Sequence, residues 1–114
     1  MTDCLFCKLI NREIPTEIVF ESDTVFAFKD INPQAPLHLL AVPKKHFSGV
    51  HEVASDGAAL FGHLFSAIRS VVEKEELAEK GYRLVINFGE KAGQTVPHIH
   101  VHILSGRTMH WPPG

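Results

Sequence analysis

His98-Ile99-His100-Val101-His102 sets an imidazole at every second position of a run whose intervening residues are aliphatic, and Ile103-Leu104 continue it. Side chains alternate across a β-strand, so in that conformation His98, His100 and His102 share one face while Ile99, Val101 and Ile103 take the other. Eight histidines in 114 residues is a high count, yet composition alone rarely places three at strict period two beside a clean apolar face. One chemistry for such a row is a metal site. At about 3.3 Å rise per residue the outer imidazoles start roughly 13 Å apart, whereas zinc holds nitrogen at about 2.0–2.1 Å. All three therefore do not meet easily on one ion; two neighbours with help from elsewhere, or one binding metal while the others do different work, stay open. The other chemistry is nucleophilic catalysis, in which the middle imidazole, His100, attacks and its neighbours hold phosphate oxygens or the leaving group. With an ordinary pKa of about 6.5 an imidazole is mostly neutral at cellular pH, and one nitrogen keeps its lone pair if the other N–H is anchored on a carbonyl. Attack on a P–N bond gives a nucleotidyl-imidazole; an adjacent imidazole or hydroxyl protonates the departing amine, and water completes hydrolysis. Just upstream, Gly93-Gln94-Thr95-Val96 offers backbone N–H groups and a hydroxyl of the kind a phosphate subsite needs.

The rest of the chain must hold that row in place. Its length, with 45% hydrophobic and 21% charged residues, fits one domain spanning 1–114. The net charge of −2 and 11 scattered basic residues leave no electrostatic footprint for polymeric nucleic acid or an anionic membrane. No apolar run approaches the roughly 18 residues that cross a bilayer, and Met1-Thr2-Asp3-Cys4 lacks a basic region followed by an apolar one; the expected location is cytoplasmic. Cys4 and Cys7 form one Cys-x-x-Cys, a spacing that in a reducing compartment points to metal or redox chemistry rather than a staple.

Cys4 to Ile10 reads as a short helix ending near Asn11. Ile18-Val19-Phe20 and Val25-Phe26-Ala27-Phe28 read as a hairpin, and Asp30 to Pro36 as a loop, because its prolines exclude ladder or helix. The strand His38 to Val42 follows. Leu60, Phe61, Leu64, Phe65, Ile68, Val71 and Val72 recur at helical spacing, with Ser55 or Asp56 as N-cap and an end by Gly81. The acidic group Glu73, Glu75, Glu76 and Glu79 reads as that helix's solvated end, Lys44-Lys45 as a turn, and His51 and His63 have no evident partner. Tyr82 to Phe88 and His98 to Ser105 complete an α+β pattern: an antiparallel sheet of about five strands, one long amphipathic helix and a short N-terminal helix. The tail 106–114, with Met109-His110-Trp111-Pro112-Pro113-Gly114, is too Pro-rich to extend the sheet, and its Trp needs a surface to pack on.

The signature His98-Ile99-His100-Val101-His102-Ile103-Leu104 is similar to that of the histidine triad family, and the resemblance runs from Cys4 through Gly114. Asp30-Ile31-Asn32-Pro33-Gln34-Ala35-Pro36, Gly93-Gln94 and the tail resemble its purine-nucleotide-binding, phosphoramidase branch. The resemblance implies hydrolysis of the P–N bond of purine nucleoside (adenosine) 5′-phosphoramidates, and of aminoacyl adenylates, through nucleotidyl-His100. It implies that His102 and His98 contact or support phosphate, with His38 behind them, that Asp30 binds ribose, and that Phe6, Leu9, Phe28, Ile31 and Leu40 line the base pocket. Asn87, Gly93, Gln94, Thr95 and Val96 match residues around the phosphate; many relatives have Ser where Thr95 stands. The family is a homodimer whose main helices and one strand from each subunit meet and, in this branch, whose tail reaches the partner's site, which would give Trp111 its surface; packing on its own subunit is the alternative. Some relatives bind structural zinc through positions matching Cys4, Cys7, His46 and His98; otherwise these are free cysteines on a short helix. Two other functions are a dinucleoside polyphosphate hydrolase or transferase, and a nucleotide-binding adaptor whose catalysis is incidental.

Overall fold

The computed structural model describes residues 4–114; Met1 to Asp3, part of the segment read above for a leader, lie outside the described residues. Helix α1 (Leu5–Ile10) starts at Cys4, whose sulfur accepts the Cys7 N–H as an N-cap, and closes at Asn11. Strands β1 (Ile18–Glu21) and β2 (Val25–Lys29) form the hairpin, and β3 (Leu37–Pro43) follows the proline loop. Helix α2 (Ala59–Lys74), the short helix α3 (Leu77–Lys80), β4 (Arg83–Ile86) and β5 (Val101–Ser105) complete the chain. The five strands form one antiparallel sheet in the order β1-β2-β3-β5-β4. Among the described residues no helix is long and apolar enough to cross a membrane.

Strand alternation sorts the side chains to two covered faces. Val25, Ala27, Leu39, Ala41, Val101 and Ile103 meet Leu64, Ala67, Ile68, Val71 and Val72 of α2, a stripe at i, i+3, i+4, i+7 and i+8. Each buried Leu, Ile or Val on that face contributes about 1.5–3 kcal/mol. Phe26, Phe28, Leu40 and Val42 point the opposite way, against Phe6 and Leu9 of α1. His38, in β3, and His102, in β5, also lie on this second face, because each alternates with residues of the α2 core.

Three sequence expectations need correction. The strand holding the histidines begins at Val101, not His98. Pro97 has no N–H to give to a ladder, the His98 N–H bonds to Val96 O, and the Ile99 N–H bonds to Phe47 O at 2.6 Å. Ser55 and Asp56 do not cap α2 but form a 3₁₀ turn with Gly57, and Ala58 precedes the helix without a side-chain cap. Of the acidic group read as the end of this helix only Glu73 lies in it: the helix ends at Lys74, within the expected limit of Gly81, because Glu76 is left-handed at φ 57°. At about 100° per residue an unbroken helix would carry Leu77 about 140° away from Val72, off the apolar stripe. The break returns Leu77 to the core, where it is 1% exposed.

Candidate active site and metal centre

The three histidines do different things because the backbone assigns each a different partner. His98 Nε2–H donates to Pro43 O at 2.8 Å, and a carbonyl can only accept, so the lone pair of neutral His98 lies on Nδ1. His100 reverses this: Nδ1–H donates to the His98 carbonyl at 2.7 Å, leaving the lone pair on Nε2. His38 Nδ1 accepts the backbone N–H of Gln34 at 3.0 Å, so its Nε2–H donates to His102 Nδ1 at 2.9 Å. His102 therefore carries its own hydrogen on Nε2. Asp30 Oδ2 stands 3.4 Å from His38 Nε2 and offers a second acceptor, while Asp30 Oδ1 accepts the Asn32 N–H and closes the turn at the start of the loop.

His100 and His102 open on a cavity of about 240 Å³ lined also by Phe6, Leu9, Phe28, Asp30, Ile31, Leu40, Thr95 and Val96. The register accounts for its floor: Phe28 pairs with Leu40 and Leu40 with His102, three side chains in one row across β2, β3 and β5. Phe6 meets His100 edge to face at 5.0 Å and Phe28 at 5.5 Å, so α1 forms a wall. A largely apolar lining that includes His100, His102, Thr95 and Asp30 suits a flat ring joined to an anionic group.

His38 stands behind His102 and outside the cavity lining. Gln94 holds the loop together, donating to Ser48 O and accepting from Gly89 N–H, while Gly93, left-handed at φ 88°, turns the chain toward Thr95. Asn87 and Trp111 line a separate groove along β4, where Arg83 donates to His110 O. Trp111 is 83% exposed on the single chain. The cavity also takes in Leu5, Ile14, Pro15, Thr16 and Lys29, which sequence reasoning did not single out. Ile14 to Thr16 is irregular backbone with no period to reveal which way its side chains face.

His98 belongs to a second cluster. Its Nδ1 lies 3.0 Å from His46 Nδ1, 3.3 Å from Cys4 Sγ and 3.7 Å from Cys7 Sγ, and Cys7 Sγ lies 3.5 Å from His46 Nδ1. Four such donors around one zinc at about 2.0–2.3 Å stand about 3.3–3.8 Å apart, so three of these separations match a closed tetrahedral site and the 3.0 Å between the two nitrogens is slightly short of it. Cys4 and Cys7 face the same way because they are three residues apart at the first turn of α1. Burial and the neighbouring Cys4 push the Cys7 thiol up to about 11, so holding it as thiolate calls for a cation. The contacts among Asp30, His38 and His102 are of a different kind: the Gln34 N–H keeps the proton on His38 Nε2, which makes the 2.9 Å contact a hydrogen bond.

Residues 11–109 match the HIT domain. A HIT family hydrolase from Legionella pneumophila Philadelphia 1 has the same fold, with a TM-score of 0.93 and 47% identity over 98% of this chain and 100% of that one. The 14 kDa zinc-binding protein of Zea mays is 46% identical over 96% of this chain and 87% of its own length. Adenylylsulfatase HINT1 of Arabidopsis thaliana is 45% identical over 96% and 76%. The chain belongs to the HIT domain family.

Burial lowers the pKa of every histidine in the row. It takes His102 to about 4, aided by His100 and His38, and His98 to about 4 despite its bond to Pro43; His100 is lowered in spite of its bond to His98. Below its ordinary value near 6.5 the unfolded chain therefore binds protons that the folded chain refuses, so stability is lost as pH falls through 6.5 toward 4. NMR titration should place the His102 transition near pH 4, with urea unfolding becoming easier across the same window. A midpoint near 6.5, with flat stability, would contradict the buried neutral imidazole.

Proposed function

We propose that this chain is a nucleotide hydrolase that cleaves the P–N bond of purine nucleoside 5′-phosphoramidates, foremost those of adenosine, and also acts on aminoacyl adenylates, through a covalent nucleotidyl-His100 intermediate. The observation that carries this reading is the 2.7 Å bond from His100 Nδ1–H to the His98 carbonyl, which leaves a nucleophilic Nε2 on an imidazole at the cavity wall. Relatives named as a hydrolase and an adenylylsulfatase support it.

The base stacks among Phe6, Leu9, Phe28 and Leu40, and Asp30 takes the ribose hydroxyls. His102 Nε2–H, held outward by His38, and the Thr95 hydroxyl bind the phosphoryl oxygens and leaving group. The phosphate charge opposes the burial that keeps His102 neutral; as substrate binds, the His38 Nε2–H turns from His102 Nδ1 to Asp30 Oδ2, 3.4 Å away, and the freed Nδ1 takes up a proton from water. His100 Nε2 then bonds to phosphorus as the P–N bond to the amine breaks, and the amine leaves with the proton from His102. In the second half water attacks phosphorus, gives a proton back to His102, and the bond to His100 breaks to release the nucleoside monophosphate.

Zinc is the proposed occupant of Cys4, Cys7, His46 and His98, where four protein donors leave no open position and make the ion structural. When bound it would tie α1 to the segment before β5; His98 is then a ligand and takes no part in the chemistry. A homodimer is the proposed assembly. Strand β4 is an edge of the sheet, and Ile86, Phe88 and Trp111 beside it are exposed.

At pH 7, His100→Ala and His100→Gly should each hydrolyse an adenosine phosphoramidate at least about a hundredfold more slowly than the native chain, the scale of losing a catalytic group. Retained activity in both would refute the nucleophile. Adenylyl sulfate, assayed alongside, varies the leaving group: if it alone is cleaved, the amine assignment fails while His100 stands. Native mass spectrometry should show a dimer carrying one zinc per chain, with the metal lost in Cys4→Ser; a metal-free or monomeric protein would overturn the corresponding assignment.

A further inference from the structure

We propose that the nucleotide cavity is open at its base end, and that its substrates include purine nucleotides bearing an apolar or aromatic substituent on the exocyclic amine of the base. This rests on the nucleotide reading above and extends it to a second subsite between α1 and β1.

The cavity does not end at a wall of regular structure. Its lining includes Leu9, Ile14, Pro15 and Thr16, and the same four residues line an adjoining groove of about 300 Å³ that continues to Arg12 and Ile18. None of His100, His102, Thr95 or Asp30 borders that groove. The shared segment therefore lies away from the histidines: Leu9, Ile14 and Pro15 form its far part, while Thr16 stands on the Asp30 side, since Glu17 O accepts the Lys29 N–H at 3.0 Å. Both Ile14, at 36% exposure, and Ile18, at 39%, reach solvent there.

Substrate geometry runs in the same direction. With the phosphate at His100 and His102 and the ribose at Asp30, the base extends away from the histidines. A purine is joined to ribose through the nitrogen of its five-membered ring, so the six-membered ring and its amine lead. That edge arrives at Leu9, Ile14 and Pro15, and a group attached to the amine passes into the groove. The groove's chemistry selects what it takes. Leu9, Ile14, Pro15 and Ile18 are apolar, and the guanidinium of Arg12 is already paired with Glu21 and lies 5.4 Å from the ring centre of Phe26. Glu21 also pairs with Lys44, so the guanidinium is only partly neutralised, but it is engaged with Glu21 and Phe26 among four apolar side chains. The groove therefore favours an apolar or aromatic group, the latter also able to stack on the guanidinium.

The test compares kcat/KM for adenosine 5′-phosphoramidate and its N6-benzyl analogue on the native chain and on Ile18→Trp. Ile18 borders the groove and not the cavity, so the larger side chain fills the subsite alone. The native chain should accept the benzyl substrate within about threefold of the parent, and Ile18→Trp should lower kcat/KM for the benzyl substrate at least about tenfold, through KM, while sparing the parent. If Ile18→Trp impairs folding, seen as a fall in parent activity, Ile18→Phe makes the same comparison. Rejection of the benzyl substrate by a native chain that hydrolyses the parent means a closed base end and overturns the proposal. An unchanged benzyl rate in Ile18→Trp puts the substituent elsewhere and also overturns it. If neither substrate is hydrolysed, the failure belongs to the nucleotide hydrolase reading itself.

Discussion

The carbonyl of His98 accepts the Nδ1 hydrogen of His100 at 2.7 Å, and the roles of the neighbouring groups follow from the backbone path that makes this contact. Between Val96 and Val101 the chain is not part of the sheet. Its amide hydrogens go to Val96 and to Phe47, and its His98 ring reaches back to the carbonyl of Pro43 at the end of β3. That path frees the His98 carbonyl from the ladder to serve as the anchor for His100. It also points the remaining nitrogen of His98 at Cys4, Cys7 and His46. One irregular segment thus separates a metal-type cluster from the proposed nucleophile only two residues away, and each imidazole has a tautomer dictated by a backbone group.

Burial then sets the charge state that both halves need. A lone pair is useful to a metal or to phosphorus only while the imidazole is neutral, and desolvation is the largest cause of the lowered pKa at His98, His100 and His102. The apolar residues that create this environment also line the cavity: Phe6 packs edge to face on both His98 and His100, and Leu40 pairs with His102 across the sheet. The sheet can hold such groups on one face because the other face is occupied by α2, so the stabilising core and the reactive surface do not compete for the same positions.

Much of this was legible in the sequence because it depends on period. Alternation assigned Val101 and Ile103 to one face and His102 to the other, and the helical spacing of Leu64, Ile68, Val71 and Val72 marked the buried stripe of α2. What escaped depends on single backbone conformations. Pro97 was a readable warning that the ladder could not include the start of the histidine row. No composition signal marks Glu76 as left-handed, since that break follows from the need to bury Leu77. The cavity-lining residues Ile14 to Thr16 lie in irregular chain whose facing only the fold determines. Trp111 needs a surface that the single chain does not supply.

The most direct measurement is mass spectrometry of the chain mixed with excess adenosine phosphoramidate, quenched within one turnover in alkaline denaturant, where a phosphorus bond to imidazole survives, and then digested. An adenylyl adduct should appear on the peptide containing His100, with fragmentation placing it on that residue, and should disappear once the phosphoramidate is consumed. Turnover with no adduct, or with the adduct on another side chain, would contradict the nucleophile that the His98 carbonyl is arranged to create.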